Sequence, residues 1–165
     1  MTEPSGRSDL LGLWRGGEGA ITGTVVCAAA IAYSAGQVET VGRLCVTILG
    51  TVAVYWVAHL HAVTIGSALT HRHHPVAAIR HALAETWPIA AAAVVPLGVL
   101  LLTTLLGVDL VASAWTALIA TIALLTIYSY VAGERGGLDM RERIACAAAG
   151  AGVGLLVVAL KVALH

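Results

Sequence analysis

The sequence predicts an all-α integral membrane protein: five transmembrane helices, with the N-terminus cytoplasmic and the C-terminus external. Three observations predict it. First, 59% of the 165 residues are hydrophobic, only 11% are charged, and the mean hydropathy is +0.90. Soluble domains carry roughly 25% charge. Second, five stretches contain no Asp, Glu, Lys or Arg: 19–38, 44–70, 86–108, 110–133 and 144–160. A helix needs about 20 mostly apolar residues to cross the hydrocarbon layer, and lipid leaves helices as the default because it cannot satisfy free backbone groups. The strict alternation of a membrane barrel strand is absent. Third, Arg7, Arg15, Arg72, Arg80, Arg135, Arg141 and Arg143 fall on one side of this layout. Only Arg43 and Lys161 fall on the other. The basic excess marks the cytoplasmic side.

The same composition excludes other classes. Nine Lys+Arg balance nine Asp+Glu, so no basic surplus exists for nucleic acid. No nucleophile–base arrangement, phosphate loop or Cys-based zinc motif is present, so an enzyme is not expected. Residues 1–18 form a polar, Gly-rich cytoplasmic segment, and 19–165 a single five-helix domain in the cell membrane. Arg7 and Arg15 resemble the charged start of a signal peptide, but Glu18 opposes that reading and no clean cleavage site follows. Cys27, Cys45 and Cys146 lie in or beside spans, as small buried hydrophobes do.

The first span opens on Gly19 and Gly23, four apart on one face, which lets another helix approach closely. The second span is too long. Its 27 residues make about 40 Å of helix, so it tilts or projects inward until Pro75 stops it. The third span contains Pro88 and Pro96, each of which removes a donor and frees a carbonyl one turn back, at Ala84 and Ala92. Both are expected helix kinks. A short loop at 107–109 makes the third and fourth helices a tight hairpin, and 133–139 is a polar turn. The fifth span carries Gly150 and Gly154 at the close-packing spacing.

Polar residues in a bilayer cost energy, so they point to function. His59 and His61 lie near or just beyond the middle of the second span. Two residues turn a helix by about 200°, so they face different directions. Neutral imidazole is a common metal ligand and titrates near pH 6.5. Glu18 begins the first helix, where the dipole favours a carboxylate. Glu85 begins the third span one turn after His81. With His71, His73 and His74 these groups lie on the inner side. They are placed to collect a cation, or sense pH, and pass the cation towards His59 or His61. Haem ligation would need a second axial histidine at matching depth, and the spans hold none.

The segment Gly16-Gly17-Glu18-Gly19-Ala20-Ile21-Thr22-Gly23 is similar to the first-helix motif of the vacuolar iron transporter family. So are the long second helix, the Ala90–Pro96 run and the Gly-rich stretch from Arg143 to Gly154. In that resemblance Glu18 stands where the family has an Asp. His59 and His61 stand where it has Met and Glu. The resemblance implies a homodimer with its pathway at the interface, and a divalent metal leaving the cytoplasm in exchange for protons. Imidazole suits Zn²⁺, Ni²⁺ and Fe²⁺ better than Mg²⁺ or Ca²⁺.

Two functions are therefore expected of such a sequence. One is a small secondary transporter for a divalent transition metal, with His59, His61, Glu18 and Glu85 as ligands and no resident cofactor. The other is a non-transporting accessory or assembly module of the bilayer, held together by Gly/Ala helix packing.

Overall fold

The computed structural model describes residues 18–71 and 75–164. They form six helices: α1 (Glu18–Ser34), α2 (Val41–His71), α3 (Pro75–Ala91), α4 (Val94–Leu105), α5 (Leu110–Arg135) and α6 (Met140–Leu164). The described residues contain no strand. Four segments are long and apolar enough to cross a membrane: Val41–Gly66, Ala82–Leu105, Leu110–Arg135 and Met140–Ala163. Gly19–Ser34 is a shorter apolar helix.

The expected third span is two helices. The chain turns at Ala92–Ala93, between α3 and α4. Pro96 explains this, because it cannot donate to the Ala92 carbonyl. Pro88 does not end its helix. It sits inside α3, and its own carbonyl accepts from the Ala92 amide at 3.0 Å. Ala91, Ala92, Ala93 and Pro96 are all buried, so the break is packed against its neighbours.

The first span is also shorter than its charge-free stretch. α1 ends at Ser34, and Gly36 turns the chain with φ +95°, a left-handed conformation that glycine adopts without steric cost. The α4–α5 loop turns at Gly107, φ +84°, and Asp109 caps α5 by accepting from the Ala112 amide at 3.0 Å. At the α5–α6 turn, Asp139 and Glu142 cap α6 reciprocally. The Glu142 amide donates to Asp139 at 2.9 Å and the Asp139 amide to Glu142 at 3.0 Å.

α1 is the centre of the bundle, in contact with α2, α3, α5 and α6. Its composition permits this. Ala20, Gly23, Ala28, Ala30 and Ala32 are buried, and small side chains let backbones approach. A Cβ on Gly23 would lie 2.8 Å from the Ile89 Cα, closer than real atoms tolerate. On α6, a Cβ on Gly150 would lie 3.0 Å from the Leu125 carbonyl, and one on Gly154 2.9 Å from the Ile122 side chain. Cys27, Ile31, Leu44, Ile48, Leu100, Ala117 and Leu118 fill the core between these contacts.

Candidate functional site

The histidines lie on an extension of the bundle. Gly19 and Gly23 of α1 both pack over Ile89 of α3, so α1 begins about one turn from the level of Ile89. Pro75 precedes Ile89 by fourteen residues, about 21 Å of helix at 1.5 Å per residue. α2 runs antiparallel beside α3, with the Trp56 indole N–H donating to the Thr86 hydroxyl at 3.1 Å. The far half of α2 and the near half of α3 therefore form a hairpin extending past the start of α1. Ile21 of α1 shares a slot with Gly133 and Leu138, so the α5–α6 turn ends near the start of α1 as well.

His59 and His61 sit on this hairpin, not at the middle of the bundle. Their place near the middle of the second span is a position within the charge-free stretch 44–70. The buried core residues of α2 are Leu44, Ile48 and Val52, with Cys45 packed beside them. From Ala53 to Gly66 no residue of α2 is fully buried. His59 is half-buried and stacks on Tyr55, with ring centroids 6.1 Å apart. His61 is exposed on another face, as the 200° step requires.

Glu85 is exposed. It lies one turn before Ile89 on the same helix face, which places it just beyond the start of α1. Glu18 opens α1 and His81 lies within α3. His71 ends α2, and His73 and His74 lie outside the described residues. Among the described residues no group of three His, Cys, Asp or Glu side chains is placed to hold a metal ion.

No family model, curated protein or solved structure matches the chain. The resemblance to the vacuolar iron transporters rests on the sequence alone.

Among the described residues the buried Ser34 hydroxyl has no hydrogen-bond partner, whereas the buried threonines are engaged locally. The buried hydroxyls of Thr24, Thr86 and Thr121 donate to carbonyls one turn back on their own helices, at 2.7, 2.7 and 2.6 Å. This is the usual way a threonine is satisfied inside a helix.

A charged side chain packs on the bundle at the opposite end. Lys161 of α6 donates to the carbonyls of Ala32 and Ala35 at 2.9 and 3.0 Å. Its ammonium lies 5.5 Å from the Trp115 ring centroid, within cation–π range. The C-terminus of α1 leaves carbonyls without helical partners, and Lys161 satisfies two of them where the dipole favours a cation. Sequence reading counted Lys161 only as an outer charge. Its place three residues from the end of α6 was the available signal, since lysine near the end of a span reaches for polar partners.

Proposed function

We propose that this chain is a multi-pass integral membrane protein acting as an accessory or assembly module. It does not conduct ions. One observation carries the reading. The interior is built of small and aliphatic side chains, and its buried threonines are engaged with their own helices. An ion crossing such a core would meet no replacement for its hydration shell.

A second reading, export of a divalent transition metal in exchange for protons, has its own support. His59, His61, His81 and Glu85 all lie on the α2–α3 hairpin, where a second subunit could complete a ligand set. Flux in proteoliposomes separates the two. Fe²⁺, Mn²⁺, Zn²⁺, Co²⁺ and Ni²⁺ are followed with a trapped dye, with and without a pH gradient. The module reading expects background flux for every metal. Gradient-dependent flux lost in His59→Ala or His61→Ala would replace it with transport.

A further inference from the structure

At one end of the bundle Lys161 ties α6 to the C-terminus of α1, and Val157 and Val158 pack on the core there. Nearer the start of α1 a slot of about 470 Å³ lies between α1, α5 and α6. It is lined by Ile21 and Val25, by Leu125 and Ala132, and by Ala149 and Val153. The slot is almost wholly apolar and reaches Leu138 in the α5–α6 turn. Gly133 and Gly150 also border it, and neither has a side chain to fill it. Ile21 and Val25 are therefore only half-buried, although α1 is the central helix.

The chain that precedes α1 carries the side chains such a slot lacks. Residues 1–17 lie outside the described structure and lead into Glu18, three residues before Ile21. Within them Leu10, Leu13 and Trp14 recur at i, i+3 and i+4, the spacing that gathers apolar side chains on one helix face. Ser8 and Asp9 precede the run, and both are favoured as N-cap residues. Only Arg15, Gly16 and Gly17 stand between Trp14 and Glu18. The two glycines can reverse the chain without steric cost, and three extended residues reach about 10 Å. Ile21 lies about 4.5 Å along the helix from Glu18. The apolar run thus arrives within reach of the mouth of the slot. A tether this short also favours it over an untethered occupant, because it holds the run at an effective concentration roughly in the millimolar range.

From this connection we propose that the N-terminal segment reverses at Gly16–Gly17 and seats Leu10, Leu13 and Trp14 in the slot. It acts as a strap that closes the bundle between α1 and α6 at the end away from Lys161. The strap goes beyond both functional readings above and is compatible with either.

Disulfide trapping in the full chain, with Cys27, Cys45 and Cys146 replaced by Ala, tests it. Leu13→Cys leaves Leu10 and Trp14 in place and is combined with Ala149→Cys, at an exposed position lining the slot. Leu13→Cys with Ile144→Cys is the control, because Ile144 is exposed near the same end of α6 but does not line the slot. The pair at 13 and 149 is expected to oxidise about tenfold faster than the pair at 13 and 144, and to run as a monomer on a non-reducing gel. The second readout is the labelling rate of Ala149→Cys, alone in that background, by N-ethylmaleimide in detergent. Leu10→Ser, Leu13→Ser and Trp14→Ser together are expected to raise that rate severalfold. The melting temperature of each variant reports folding separately. Equal oxidation of the two pairs overturns the strap, and so does a disulfide at 13 and 149 that forms only between two copies of the chain. A labelling rate unchanged by the three serines also overturns it, since the slot is then open or filled by lipid.

Discussion

Gly150 and Gly152 lie two residues apart on α6, yet they do different work. A Cβ at 150 would strike the Leu125 carbonyl and Ser129, while one at 152 meets nothing within 4 Å. Gly150→Ala is therefore expected to destabilise by about 1–3 kcal/mol, the usual range for overpacking. Gly152→Ala is expected to be neutral or to gain up to about 1 kcal/mol from helix propensity. Thermal melts of the two variants in the same detergent compare them directly. Lys161 gives a second contrast at this scale. Lys161→Met removes two hydrogen bonds to the end of α1, so the cost is about 1–3 kcal/mol for the carbonyls it leaves unsatisfied. The Ser34 hydroxyl is buried and has no hydrogen-bond partner among the described residues. Ser34→Ala is expected to leave the melting temperature unchanged or raise it, because it removes an unsatisfied polar group.

At the scale of the helix, α2 and α3 are joined by a polar contact and an aromatic one. Trp56 donates to Thr86, and its ring meets Trp87 edge-on with centroids 6.5 Å apart. Trp56→Phe keeps a ring and removes the donor, so it is expected to cost about 0.5–1.5 kcal/mol. Hydrogen exchange across 56–66 and 79–86 should rise, while exchange in α5 stays unchanged. Much of this architecture was legible in the sequence. Charge-free stretches located the apolar segments, because charge is expensive in an apolar layer. The spacing of Gly19 with Gly23 and of Gly150 with Gly154 marked two close packings that the helices make. Pro96 marked the break before α4, whereas Pro88 lies within an unbroken α3. The difference was not legible, because a proline interrupts a helix only where its neighbours do not re-satisfy the freed groups.

For the whole molecule, depth was the quantity the sequence could not supply. A span of 27 uncharged residues has a formal middle near His59, but only tertiary contacts decide which part of it packs in the bundle. α1 is 17 residues long, about 25 Å, and as the central helix it sets the height of the packed core. α2 has 31 residues and overshoots it. The overshoot carries His59 and His61 beyond the packed core.

The position of His61 relative to the bilayer is the most direct measurement. Single cysteines at 61 and at 54, in a background with Cys27, Cys45 and Cys146 replaced by Ala, are exposed to a membrane-impermeant maleimide in vesicles of each orientation. Val54 is 72% exposed on the packed half of α2, so a cysteine there faces lipid and stays unlabelled. His61→Cys is expected to label from one side only, and without detergent. Protection of position 61 equal to that of position 54 would place the histidines within the hydrocarbon. It would contradict the projecting hairpin and reopen the case for a metal site inside the membrane.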